Sequence, residues 1–363
     1  MSNPYIVGMA VVGDRFYGRE ELINKVLASG RDGFCMMGNR RIGKTSFLRH
    51  LEFLIKGEYP NFISVYWDLQ ACQIEADLTE QLKDGLLDVE EQLEETGIDY
   101  EELEESEDLF DLMGRLKRGM IQRNKKLILL VDEAESLIDV GKVNRGLLGK
   151  LRAVMQDATF VRTILCAARH LSEVNQIELA GARFLDGFEP VLFVSSLTDA
   201  DADALIAQSL TGGGLRFPDE MAADIKEKTH CHPYLIQSVC FYLYDHEMDL
   251  EKAYDYVMQQ GMAEKAFADD FRYLAPVEKQ ILMQIYQAAG TTFGGIQGPV
   301  GLDAQTLSRL LGTLEACGYI KETGGGYYLA NHFFTRWLQS NETRLREMPS
   351  VVSDEAILSF RFE

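Results

Sequence analysis

Apolar residues along this chain fall into two kinds of pattern, and over the first half the two alternate. Short unbroken runs at Phe34 to Met37, Phe62 to Asp68, Leu127 to Val131, Thr163 to Ala168 and Pro190 to Val194 have the length and content of buried strands. Between them apolar residues recur at helical spacing: Leu22, Val26 and Leu27; Phe47, Leu48, Leu51 and Leu54; Leu78, Leu82, Leu86, Val89 and Leu93; Leu147, Leu148, Leu151 and Val154. Strands that alternate with helices predict an α/β, doubly wound parallel sheet.

From Thr198 onward the pattern turns helical. Thr198-Asp199-Ala200-Asp201 has the form of a capping box, Pro218 starts a second helix, and His230 to Tyr234 opens a third that holds Leu235, Val239 and Leu243. Ile281, Leu282 and Ile285 mark a further helix, and Leu302 to Cys317 is expected to give a helical pair. Tyr319 to Glu322 and Tyr327 to Leu329 flank Gly324-Gly325-Gly326 as a hairpin. Helices followed by a hairpin look like a winged helix, with a closing helix from Phe333. The tail after Pro349 carries no readable pattern. The expected division is 1–197 for a nucleotide-binding domain, 198–270 for a helical lid, 271–347 for a winged-helix-like domain and 348–363 for a tail.

Composition changes this picture in two places. The net charge of −21 is local: between Glu75 and Asp108 stand 16 carboxylates and one lysine, a net −15, which leaves −6 for the rest. Residues 75–108 therefore read as an amphipathic acidic segment with a solvated outer face, and the acidity weighs less against nucleic acid than the total suggests. The six cysteines form no C-x-x-C pair, which argues against a zinc site or disulfide framework and for a reducing, cytoplasmic setting. His230, Cys231 and His232 lack a matching ligand pair elsewhere. No run is long enough to span a bilayer and no secretory signal is visible, so no membrane partner is expected.

The strongest candidate chemistry is Gly38-Asn39-Arg40-Arg41-Ile42-Gly43-Lys44-Thr45-Ser46, which fits G-x-x-x-x-G-K-[ST] between a strand and a helix. The glycines let backbone amides turn inward on a phosphate, Lys44 reaches the β- and γ-phosphates, and Thr45 offers its hydroxyl to Mg²⁺. The run ending in Asp132-Glu133 is the second signal. Residues just past a parallel strand's C-terminal end face the same crevice, so Asp132 is expected to hold Mg²⁺ and Glu133 to act as general base. Arg169, after a later strand, is a candidate γ-phosphate contact, with a helix-dipole or salt-bridge role as the alternative. Arg152 and Arg162 are weighed as trans-acting fingers, and solvated surface is preferred for both. Phe16 to Leu22 is able to cover a base or to be an ordinary helix start. No N-K-x-D motif is present, which favours ATP over GTP.

This combination resembles the AAA-like P-loop ATPases of the STAND class and their archaeal-ATPase relatives. The residues that carry the resemblance are Asn3-Pro4-Tyr5 with Gly8, Phe16 to Glu20, Gly38 to Ser46, Leu130 to Glu133, His232-Pro233-Tyr234, and Phe334 with Trp337-Leu338. It implies an ASCE/AAA-like sheet with a helical lid and winged-helix domain, an ATPase that uses ATP and Mg²⁺, and a likeness to nucleotide-switched homo-oligomers. By the same resemblance Tyr17 and Arg19 line the adenine side, Pro233 is the lid proline, and Arg169 is the arginine after the fourth strand. STAND proteins also carry effector and sensor domains; here the chain ends soon after the winged helix. The expectation is a separately encoded protein partner or a plain AAA-like ATPase. The alternative is a DNA-acting ATPase of the archaeal initiator or transposition type. Against it, Asp303 to Cys317 holds one cation, Arg309, and the wing offers only Lys321. A non-hydrolysing scaffold is disfavoured because both carboxylates are present.

Overall fold

A computed structural model describes residues 3–177, 179, 182–210, 216–246, 249–345 and 349–359; the side chains of 169, 170 and 359 lie outside the description. Five parallel strands, β1 (Gly33–Met37), β2 (Phe62–Asp68), β3 (Lys126–Asp132), β4 (Val161–Ala167) and β5 (Leu192–Phe193), run in the order β2-β3-β4-β1-β5. The strand runs expected from sequence are therefore present; the last, expected from Pro190, is only two residues long.

Each strand is buried on both faces, as a parallel sheet requires. Alternate residues serve different cores. Cys35, Val65, Trp67, Leu127 and Leu129 face one, while Phe34, Met36, Tyr66, Ile128 and Leu130 face the other. The second core is closed by α1 (Glu20–Ala28) and α2 (Lys44–Glu58). The first is closed by α3 (Glu75–Leu87), α4 (Glu90–Glu95), α5 (Tyr100–Glu104), α6 (Leu109–Gln122), α7 (Leu137–Val143) and α8 (Arg145–Met155). The acidic segment is thus helical and packed: Leu78, Leu82, Leu86, Val89 and Leu93 are buried in that core, and most of its carboxylates face outward.

The region expected to be a lid forms its own core from α9 (Asp199–Ala207), α10 (Asp219–Thr229), α11 (Pro233–Asp245) and α12 (Leu250–Gln259), with Tyr5 from the N-terminal segment buried inside it. Thr198 caps α9 by accepting from the Asp201 N–H at 3.2 Å. Next, α13 (Met262–Arg272) places Ala263 in the lid core and Phe271 in the following one. That last core holds α14 (Pro276–Gln287), α15 (Phe293–Val300), α16 (Ala304–Ala316), the antiparallel hairpin β6 (Ile320–Thr323) and β7 (Gly326–Leu329), α17 (His332–Leu345) and α18 (Asp354–Ser359).

Three local expectations are corrected. The first helix of the pair expected over Leu302 to Cys317 lies earlier, over Phe293–Val300, a glycine-rich stretch with Pro299 inside it. Its Ile296 is fully buried and Thr292 caps its start, so packing overrides poor propensity. The described part of the tail, 349–359, packs through Val352, Ala356 and Ile357 in the C-terminal core, and the Val277 N–H donates to Asp354. Arg162 is not solvated surface. It is 7% exposed and its guanidinium donates to the carbonyls of Val26, Leu27 and Ser29, near Asp32. It satisfies the carbonyls that end α1, which have no partner within the helix. Arg162→Leu is expected to lower stability by about 3 kcal/mol through those unpaired carbonyls, Asp32 keeping its ion pair with Lys126, read as a lowered urea midpoint.

Candidate functional site

The C-terminal ends of β1, β3 and β4 meet at one rim of the sheet, and the loop Gly38 to Gly43 wraps over it. The Gly38 N–H donates to the Ala167 carbonyl at 3.3 Å, so the loop starts tied to the neighbouring strand. A side chain at 38 would meet the Val194 carbonyl oxygen at 2.7 Å, so only glycine fits there. Gly43, at φ 100°, then reverses the chain into α2, whose first residues are Lys44 and Thr45.

The two sequence signals are joined directly. Thr45 Oγ1 donates to Asp132 Oδ2 at 2.6 Å, and the Tyr66 hydroxyl donates to the same oxygen at 2.8 Å. Asp132 Oδ1 accepts the Glu133 N–H at 3.0 Å. Lys44 Nζ lies on the Gly38 and Asn39 carbonyls at 3.1 and 3.2 Å, buried within the loop. Among the described residues no group of three or more His, Cys, Asp or Glu assembles as a metal site. The Thr45 hydroxyl and Asp132 carboxylate are, however, hard oxygen donors of the kind Mg²⁺ takes alongside phosphate and water.

Glu133 sits in the left-handed region at φ 49°, an uncommon conformation for this residue type. Burial, with the neighbouring carboxyls of Glu135 and Asp132, pushes its carboxyl up to about 7 against the opposing charge of Lys44. Glu135 is held in turn by the Ala168 N–H at 3.1 Å. A carboxyl poised near neutral in a cleft is suited to proton transfer.

A cavity of about 520 Å³ opens over this rim and is lined by Arg41, Lys44, Thr45 and Glu133. Tyr17, Arg19, Pro233 and Tyr234 line it too, with the Ile6 to Val11 segment, so the residues expected beside a base share the cavity with the loop. Arg19, itself left-handed at φ 71°, donates to the Ile42 carbonyl at 2.8 Å, and burial lowers its guanidinium to about 10. Of the loop, Arg40, Ile42, Gly43 and Ser46 also line the cavity. The Asn39 side chain turns away from it, donating to the Cys317 carbonyl at 2.6 Å. Arg169 opens a 3-10 segment, Arg169–Gln176, after β4; its side chain lies outside the described residues.

Sequence reading missed several contributors. Tyr66 is one: it pairs with Leu130 in register, two residues before Asp132, so the pleat puts its side chain on the face of Asp132. Tyr234 stacks under the Arg41 guanidinium at 4.8 Å, and Asp269 and Asp270 of α13 reach Arg40. Nothing local in the sequence announces those contacts.

The strand order, with β4 between the phosphate-loop strand and the acidic strand, decides the architecture. The chain has an AAA-like P-loop ATPase fold. Solved structures bear this fold out. The Walker-type ATPase PABY2304 of Pyrococcus abyssi superposes with a TM-score of 0.65 at 17% identity, over 93% of this chain and 99% of that one. The Aeropyrum pernix ORC2 protein, solved as ADPNP-ADP complexes, gives 0.52 at 12% identity, over 90% and 93%. No protein-family model and no curated protein sequence matches the chain.

Within this P-loop ATPase fold Glu133 and Asp270 share one electrostatic signature. Burial raises each to about 7, so the native chain holds protons that the unfolded chain releases once pH exceeds the ordinary carboxylate range. Their contribution is intact in acid and is lost as pH climbs from that range through about 7. Glu133→Gln is expected to be more stable than the parent at about pH 8 by on the order of 1 kcal/mol, with the gap closing near pH 4, in urea unfolding without nucleotide.

Proposed function

We propose that the protein binds and hydrolyses ATP and acts as a molecular switch, its nucleotide state governing how the lid and C-terminal unit pack. The observation that carries this reading is the Thr45–Asp132 hydrogen bond, with Lys44 and Glu133 beside it at one cavity. The loop amides from Arg41 to Ser46 bind the phosphates, and Lys44 leaves the carbonyls it now occupies to meet the β- and γ-phosphate oxygens. Thr45 and Asp132 hold Mg²⁺, which when bound neutralises charge on the phosphates. Glu133 takes a proton from water as its oxygen bonds to the γ-phosphorus and the bond to ADP breaks. Tyr17, Arg19 and Pro233 border the base, and Arg169, by its place after β4, contacts the γ-phosphate. The ADPNP and ADP complexes of the Aeropyrum neighbour agree with this choice of ligand.

Residues 1–197, 198–270 and 271–347 act in this reading as nucleotide-binding domain, lid and winged helix, the last supported by three helices, a hairpin and the Thr291–Tyr327 bridge beside it. The output is assembly with further copies or with a separately encoded partner in the cytoplasm. No described helix is long and apolar enough to cross a membrane. Nothing favours the DNA-acting alternative: Arg309, the cation of α16, is spent on the Ile357 and Leu358 carbonyls of the tail.

Lys44→Ala is expected to abolish Mg·ATP binding in titration calorimetry. Glu133→Gln is expected to bind ATP as the parent does while phosphate release falls by about 10²-fold or more. Equal turnover in Glu133→Gln and parent would remove the base assignment.

A further inference from the structure

The phosphate loop is held from outside as well as from the sheet, and the outside grip falls on Asn39 and Arg40. The Arg40 N–H donates to Asp270 Oδ1 at 3.0 Å. Its guanidinium lies 3.6 Å from Asp269 Oδ2 and 5.6 Å from the Tyr273 ring. Both carboxylates belong to α13, the helix shared by the lid core and the C-terminal core. Asp270 is buried, while Asp269 is half-buried and borders the nucleotide cavity together with Arg40, Lys44 and Glu133. One residue earlier, Asn39 holds the Cys317 carbonyl at the end of α16.

This junction is less well satisfied than a core. Asn39 Oδ1, Arg40 Nε and His232 Nδ1 are buried without a hydrogen-bond partner among the described residues, around a void of about 20 Å³. Buried polar atoms without partners are costly, so the contact is poised to open. Arg40 is thus a cation at the cavity wall whose guanidinium is paired loosely with Asp269, a partner that a phosphate can displace, while Asp270 holds its backbone N–H.

We propose that Asp269 and Asp270 discriminate ADP from ATP at this site, retaining Arg40 when a diphosphate fills the loop and yielding it to the terminal phosphate of a triphosphate. The inference rests on the ATP-site reading above. Its chemistry is a contest for one guanidinium. A phosphate offers Arg40 paired, charge-assisted hydrogen bonds, which the 3.6 Å ion pair to Asp269 lacks. Asp269, at the cavity wall, also opposes each phosphate charge that is added there. Transfer of the guanidinium therefore releases Asp269 and loosens α13 against the loop, leaving the Arg40 N–H on Asp270 and the Asn39 amide on Cys317 as the remaining holds.

The test compares the full chain with Asp269→Asn and Asp270→Asn by titration calorimetry, using Mg·ADP and a Mg-bound non-hydrolysable ATP analogue. Both replacements keep side-chain size, and asparagine still accepts from the Arg40 N–H. The parent is expected to prefer ADP. Asp269→Asn is expected to tighten analogue binding by about tenfold and to leave ADP within about twofold, as loss of one near charge predicts. Cys317, buried at this junction, is expected to react with a maleimide faster with the analogue than with ADP. If both nucleotides bind and their affinity ratio is the same in parent and both variants, the discrimination role is overturned; a purely structural role would weaken both ligands alike and leave the ratio fixed. A parent that binds neither nucleotide overturns the ATP-site reading itself and this inference with it.

Discussion

The Thr45 hydroxyl on the Asp132 carboxylate is the contact through which the rest of the site acquires its geometry. It joins the first turn of α2 to the end of β3, two elements whose strands are not neighbours, because β4 lies between β1 and β3. Two strand spacings separate them, roughly 10 Å. Across that separation Lys44 and Glu133 line the same cavity. The Tyr66 hydroxyl on the same oxygen fixes the carboxylate from β2, the edge strand on the other side of β3.

Much of this was legible because it is local. A strand, a glycine-framed loop and a helix stand consecutively in sequence, and so do the buried run of β3 and its terminal carboxylates. The acidic segment was legible for the same reason, since its leucines keep a helical period whatever the charge around them. What sequence failed to reveal depends on tertiary placement. The helix Phe293–Val300 is held by one buried isoleucine and a threonine cap, against a composition that reads as a loop. Arg162 looks like any surface arginine until the end of α1 presents three carbonyls to it. Asp269 and Asp270 lie more than two hundred residues from Arg40, and no spacing rule connects them. Asn39, read from the motif as a phosphate-side residue, faces the opposite way because α16 offers it a carbonyl.

Glu133 combines two costs at one residue, a left-handed backbone and a carboxyl raised by burial among like charges. Either alone would be selected against in a purely structural position, since each takes about 1–3 kcal/mol from a marginal total. Their coincidence beside Lys44 makes sense if the strained turn aims the carboxyl into the cavity. The burial then keeps it near neutral, where it can accept and return a proton. Glu135, anchored on the Ala168 N–H, ties this arrangement to β4.

The remaining asymmetry lies in how the loop is gripped. On the sheet side the loop is tied by the Gly38 N–H on the Ala167 carbonyl, with the Lys44 side chain folded onto the Gly38 and Asn39 carbonyls. On the side of α13 and α16 they are a buried carboxylate, a loose ion pair and one amide, with three polar atoms left unpaired. A phosphate inside the loop would leave the Gly38–Ala167 bond in place and compete for the second set. The nucleotide-binding rim is therefore firm toward the sheet and yielding toward the C-terminal unit. On the proposal made above, that difference is what would let a change of one phosphate register as a change in packing.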